Sequence, residues 1–528
     1  MSKEQAKFDL LGGILEKVLF ILAFSVLATT SISRLILRHI PLNRDEGTYL
    51  YLAKQATSGM RPYIDFYEMK PPVLFYLTGV FGALFGFDEA GGRMITLIFV
   101  TISALFVFLI VKYYASNTLS LAASAIYAFF SLNLFCLGFS FEIEHLVNAL
   151  LLASLYFVLK TRDRPTLLNF ALSGLFFSLA VLTKQTSIIF ILVHVTIWFT
   201  GTATARKNWK SPAIFIVGAL VPAILVSLLF TIHGSWEDAY FWLVTYPSSY
   251  TGGGISEENR YQNLNYFFGN ITKFQLASFL LTGLALAIGL LRGMSKNKVW
   301  ILIYLALSLL SIFPGYRFYG QYWQLIWPPL ALAAFILFPM PNQKKWIGTT
   351  FFVLLMLTIL FDLNRQKGYY FNEKYSEAYN VLYYQNPFDA IKTLSLYAKK
   401  QMNSGDKFLV MGSEPQAYLY AQKQAPTKHI FMSMLANQSP VFKNFTQEVL
   451  TSLKNDSPEY VLFNIFPFSW SFTAKEDQTI YNQSIKMVYE KYTPIASYQM
   501  DNNKYSFVGE GDAISIYQSN QVILFKLR

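Results

Sequence analysis

Eleven apolar runs occupy the first 362 positions, near 18–37, 94–112, 118–138, 146–159, 166–183, 186–200, 212–232, 275–291, 299–313, 322–339 and 346–361. A helix needs about 20 apolar residues to cross hydrocarbon roughly 30 Å thick. In lipid every backbone polar group must find its partner inside the segment, so such runs can fold only as helices. The chain is 54% hydrophobic and 14% charged, whereas soluble domains carry about 25% charge. A soluble enzyme and a disordered chain are both excluded. The 17% aromatic content suits rings placed at membrane interfaces. The formal charge of +12 is read as orientation signals and attraction to anionic membrane lipids, with no nucleic acid involved. The single cysteine, Cys136, lies in an apolar run and builds neither a disulfide framework nor a cysteine metal site.

Orientation depends on one short segment. Residues 1–17 carry Lys3, Lys7 and Lys17, and the run that follows reads as an uncleaved anchor, with a signal peptide as the alternative because Ala28, Thr29 and Thr30 are small. Residues 71–87 are short and broken by glycine. If they lie at the interface, the basic loops holding Lys160, Arg162 and Arg164, then Arg206, Lys207 and Lys210, then Arg292, Lys296 and Lys298, then Lys344 and Lys345 all fall on the N-terminal side. The positive-inside bias makes that side cytoplasmic, against which only Arg34 and Arg38 run. The expected location is an integral protein of a bacterial inner membrane.

Past Asp362 the pattern changes. A polar, Tyr-rich linker at 363–386 precedes strand-like runs at 407–412, 460–465, 513–518 and 522–527, alternating with helix-like stretches at 388–401, 415–422 and 442–454. The expected organisation is a helical membrane domain at 1–362, a linker, and a soluble α/β domain at 387–528 on the outer side, of a length that suits one core.

This topology puts most interrupting polar residues on one face. Asp45 and Glu46 follow the first span, Glu142, Glu144 and His145 sit between the third and fourth, Lys184 between the fifth and sixth, and Arg317 and Gln321 between the ninth and tenth. Charge at membrane depth is costly and marks functional cavities. On a helix starting near Asp45, residues Tyr49, Leu52, Ala53 and Ala56 share its face, predicting an amphipathic helix along the membrane. Consecutive carboxylates diverge by about 100° on a helix, so one of Asp45 and Glu46 is expected to be catalytic and the other structural. Transfer of a group to an alcohol needs a carboxylate to take the proton, and a phosphate leaving group needs cations. Asp45 supplies the first; Lys70, followed by Pro71 and Pro72, with Arg317 or Lys184, supplies the second. The competing structural roles are a helix cap for Asp45, snorkelling for Lys184 and Arg93, and a solvated turn for Glu142 and Glu144.

In chain order these features are Asp45-Glu46, a downstream tyrosine (Tyr63), Lys70-Pro71-Pro72 opening an apolar helix, Gly86 spaced to Arg93, Leu182-Thr183-Lys184, and Arg317 to Gln321-Tyr322 before Pro328 and Pro329. Over about 40–340 the sequence resembles the ArnT-like and protein O-mannosyltransferase-like glycosyltransferases of the GT-C superfamily, the PMT_2 type or glycosyltransferase family 39. The resemblance implies a polytopic α-helical membrane protein of GT-C type with an outward α/β domain. It implies transfer of a sugar from a polyprenyl-phosphate donor to a lipid, glycan or protein acceptor, with inversion. It places Asp45 and Glu46 at the catalytic centre with Glu142 or Glu144 as a further acid. It makes Lys70, Arg93, Lys184, Arg317, Gln321, Tyr322 and Tyr63 substrate contacts. Many members carry His where Gln321 stands. Some of the wider superfamily use a divalent ion, for which Asp45, Glu142 and Glu144 offer oxygen ligands; a cationic rim would stabilise the departing phosphate without one, and no cofactor is expected.

Three rivals stand beside this reading: a transporter or flippase, a polymerase or ligase using lipid-linked sugars, and a non-catalytic receptor. The aromatic-rich 233–275 loop, with Trp236, Tyr240, Trp242, Tyr246, Tyr250 and the glycines at 252–254, is expected to line a lipid entrance and gate it.

Overall fold

The computed structural model describes residues 3–162, 165–200, 210–252, 257–293, 295–338, 345–371, 383, 386–436, 440–470, 479–501, 504–509, 514 and 521–528. Each of the eleven apolar runs holds a helix. The first eight helices are α1 (Lys3–Ile36), α2 (Arg44–Thr57), α3 (Val73–Phe85), α4 (Glu89–Val111), α5 (Asn117–Ser131), α6 (Ile143–Lys160), α7 (Leu167–Val181) and α8 (Ile191–Phe199). Further apolar helices follow at Lys210–His233, Leu276–Leu291, Val299–Leu310, Trp327–Ile336 and Lys345–Arg365.

Among the described residues six helices are long and apolar enough to cross a membrane, and others are shorter, such as Leu167–Val181 and Gln185–Phe199. After α5 the chain leaves the helix for a tight turn at Asn133, whose side chain accepts from the amides of Phe135 and Cys136. Helix α3 has 13 residues, about 20 Å at 1.5 Å per residue, and is one of the shorter apolar helices.

Helix α2 begins at an Asn43 cap whose side chain accepts from the Glu46 amide at 2.9 Å. Helix α2, expected to be amphipathic and to lie along the membrane, has Glu46 to Ala53 and Ala56 all buried. Helix α3 covers α2 on one side and the C-terminal part on another, where its Gln416–Ala421 helix packs so closely that a Cβ on Gly47 would collide with Gln416.

The 233–275 segment is corrected. It is helical, with helices at Trp236–Tyr240, Tyr246–Gly252 and Glu257–Asn270 and wider π-helical turns at Phe241–Thr245 and Ile271–Gln275. Trp242 and Tyr246 are buried while Trp236 and Tyr240 are exposed. Gly253 and Gly254, like Arg164, Arg206, Lys207, Lys344, most of the 363–386 linker and most of the 513–518 run, lie outside the described residues.

The C-terminal part folds on a five-stranded sheet of order β1-β2-β5-β3-β4, with β1 Phe408–Met411, β2 Tyr460–Asn464, β3 Tyr492–Asp501, β4 Lys504–Val508 and β5 Gln521–Leu527. Strands β1 and β2 pair in parallel and every residue of both is buried, the continuous apolar pattern of a strand covered on both faces. The other pairings are antiparallel. Helices Phe388–Gln401 and Pro440–Asn455 match the predicted stretches; the helix Thr479–Lys491 and strands β3 and β4 were not expected.

Candidate active site

Asp45 stands in the first turn of α2, half-buried, and accepts a 2.9 Å hydrogen bond from the Gln321 side-chain amide. Burial raises its proton affinity above the usual carboxylate range, opposed by the charges of Lys70 and Arg44 and by the Gln321 bond and reinforced by Glu144. Lys70, at the end of the loop between α2 and α3, is also half-buried, and burial lowers its ammonium pKa, against the pull of Glu68. Among the described residues its ammonium makes neither an ion pair nor a hydrogen bond. Its position is fixed through its backbone, since the Tyr63 hydroxyl donates to the Lys70 carbonyl at 2.7 Å. Tyr63 itself is fully buried with φ of 70°.

The second acid of the pair points elsewhere. Glu46 is fully buried and ion-paired with the equally buried Arg93 of α4; it also accepts from the Phe141 amide at 3.0 Å. Arg93 donates to the Ile40 carbonyl at 3.0 Å, and its guanidinium lies 4.9 Å from the Phe139 ring centroid. Arg93 therefore faces Glu46 and the protein interior.

Glu142 and Glu144 flank the start of α6 and have different partners. Glu142 accepts from the Asn43 side chain at 2.9 Å. Its burial, with Asp45 and Glu144 near, holds its pKa well above the usual carboxylate range. Glu144 accepts from the Lys184 ammonium at 2.5 Å, which in turn stands 4.7 Å from the Tyr322 ring centroid. Gln321 and Tyr322 lie in one short turn, Gly320–Leu325. Arg317 donates to the Tyr319 hydroxyl at 3.3 Å and is half-buried beside that turn.

The structure therefore gathers Asp45, Lys70, Glu144, Lys184, Gln321 and Tyr322 around one polar centre, with Glu142 behind it and Glu46 with Arg93 apart from it. Two acidic or phenolic members were missed. Glu68 is buried, accepts from the Met69 amide at 2.8 Å, and has its pKa raised by burial against the effect of Lys70. Tyr49, on the Asp45 face of α2, is buried beside Asp45 and Glu68. Glu68 precedes Lys70 by two positions, but with Asp65 three positions before it nothing in the sequence separates it from an ordinary loop carboxylate. Among the described residues no group of three His, Cys, Asp or Glu side chains is arranged to hold a metal ion.

Residues 69–230 match the family described as dolichyl-phosphate-mannose-protein mannosyltransferase, PMT_2. No curated protein matches significantly. The structure is similar to that of ArnT from Cupriavidus metallidurans bound to undecaprenyl phosphate, with a TM-score of 0.60 and 11% identity over 96% of this chain and 97% of that one. The apo form of ArnT gives 0.57 and 10% identity over the same shares. The apo oligosaccharyltransferase of Archaeoglobus fulgidus gives 0.49 and 12%, over 95% and 76%. The family match lies inside the helical bundle, at residues 69–230, and along nearly its whole length the chain has the fold of ArnT.

Proposed function

We propose that the protein transfers a sugar from a polyprenyl-phosphate donor to a lipid, glycan or protein acceptor at the outer face of a bacterial inner membrane, with inversion at the anomeric carbon. The acceptor oxygen attacks the anomeric carbon opposite the phosphate, the bond from that carbon to the phosphate oxygen breaks, and the acceptor proton passes to Asp45. Polyprenyl phosphate leaves with the bonding electrons. A carboxylate whose proton affinity is raised by burial is a stronger base than an exposed one.

The observation that carries this reading is the half-buried Lys70 ammonium, without an ion-pair partner among the described residues, in the electrostatic neighbourhood of Asp45. A desolvated cation without a partner is suited to an anion brought by the substrate, here the lipid phosphate. ArnT bound to undecaprenyl phosphate is a relative in fold, which supports a lipid phosphate in this role. Lys184, aligned by Glu144 against Tyr322, and Arg317 complete the cationic rim. Glu46 with Arg93 is the structural partner of the acidic pair, and Glu142 acts through Asn43 at the cap of α2. The helical bundle at 1–362 carries the chemistry, and the domain at 387–528 lies on the outer side above it.

The test is sugar release from a panel of synthetic polyprenyl-phosphate sugars, with and without candidate acceptors, by wild type, Asp45→Asn and Lys70→Met, each repeated in EDTA. Turnover lost in Asp45→Asn and kept in EDTA is the expected result. Donor bound but moved unchanged across a vesicle membrane would replace the transferase reading with that of a flippase.

A further inference from the structure

We propose that Glu414, in the C-terminal domain, is a positioning residue for Asp45 and acts through Arg44; this rests on the reading of Asp45 as the base. Glu414 follows β1 and is fully buried. One of its oxygens accepts from the Arg44 guanidinium at 2.7 Å and the other from the Ser469 hydroxyl at 2.6 Å. A second guanidinium nitrogen of Arg44 donates to the Ser413 carbonyl at 2.8 Å. Two acceptors on adjacent residues fix both the place and the plane of the Arg44 fork.

Arg44 immediately precedes Asp45, and its charge opposes the burial that raises the Asp45 pKa. Asp45 is thus held from both sides along the chain. Its successor Glu46 is locked to Arg93 in the bundle, and its predecessor is locked to the C-terminal domain. The same seam is fixed by the Tyr420 hydroxyl, which accepts from the Leu42 amide and donates to Glu89, both at 2.9 Å. The other charged groups that bear on Asp45 are Lys70 and Glu68, from the loop before α3, and Glu142 and Glu144, at the start of α6.

Glu414→Gln keeps the shape of the side chain and a partner for Ser469. It leaves Arg44 free to regain solvent, since the Arg44 side chain is 19% exposed already. The experiment compares the full chain as wild type, Glu414→Gln, Arg44→Gln and the double variant, reading donor turnover against pH and amide hydrogen exchange along α2. The expected result is a kcat lower by about tenfold in each single variant with an unchanged donor KM, and no further loss in the double, because the pair acts as one unit. The acidic limb of kcat moves to higher pH in both singles, which a merely structural contact would not produce, and the amides of the first turn of α2 exchange faster. Unchanged kcat and acidic limb in folded Glu414→Gln, or losses that add in the double variant, would overturn the proposal. If wild type turns over no donor, the proposed function fails by itself. Amide exchange then decides the positioning role: unchanged protection at residues 44–50 in Glu414→Gln rejects it, and faster exchange confined to that turn supports it.

Discussion

The Gln321 amide donates to Asp45 at 2.9 Å, joining a turn late in the bundle to the first turn of α2. A neutral donor stabilises the ionised carboxylate without contributing a proton of its own. Gln321→Ala is therefore expected to raise the Asp45 pKa and shift the acidic limb of kcat to higher pH, with kcat at its plateau lower by about tenfold. A pH series of initial rates checks this; an unmoved limb means that the bond has no part in ionising the base.

Lys70 has its ammonium pKa lowered by burial. Donor affinity is expected to weaken as pH rises through that lowered value, earlier than for an exposed lysine near 10.4. Lys70→Arg should hold its charge throughout and remove this alkaline loss, whereas Lys70→Met should weaken donor binding at every pH. Binding of a fluorescent polyprenyl phosphate across pH distinguishes the three.

Removing one member of the Glu46–Arg93 pair strands the other charge in the bundle, where both are fully buried. The cost of breaking such a pair is about 3–5 kcal/mol, so Arg93→Met should lower the thermal midpoint sharply. Joint replacement, Glu46→Leu with Arg93→Met, should recover much of the loss. Melting in detergent of the two single variants and the double tests this through the sign of the interaction.

His429 links the C-terminal part to the loop between α2 and α3, its ring 4.8 Å from that of Tyr67 and its Nε2 3.2 Å from Glu448. Burial depresses its pKa to about 4, against an unfolded value near 6.5. A depressed value means that its contribution to stability is complete above about 6.5 and is lost as pH falls toward 4, by on the order of 3 kcal/mol at the extreme. His429→Phe should flatten the stability profile in that window; a slope identical to wild type would contradict the assignment.

The helices of the bundle were legible because lipid allows a long apolar run only one regular structure, and the Asp45, Lys70 and Gln321 positions because each interrupts or borders such a run. The separation of Glu46 from Asp45 followed from helix geometry alone. What sequence could not give was the cover on α2: Gly47 against Gln416 and Arg44 against Glu414 join segments some 370 residues apart, and no local periodicity encodes such a contact. The same limit hid Glu68, which looks like one more loop carboxylate until its burial is seen. The 233–275 segment was misread because its polar and glycine residues interrupt an apolar count, although most of its described residues sit in helices whose buried side, at Trp242 and Tyr246, packs inward.

Three consecutive residues, Arg44, Asp45 and Glu46, answer to three different parts of the molecule: the C-terminal domain, the polar centre and the membrane bundle. The C-terminal domain is consequently not an interchangeable attachment. A chimera that grafts the corresponding domain of a relative onto this bundle would inherit a foreign surface against α2, and would work only if that surface carried an acid at position 414 for Arg44 and matched the close approach of position 416 to Gly47. Domain shuffling among such enzymes is therefore constrained at this seam, and divergence on one side of it should be matched by compensating change on the other.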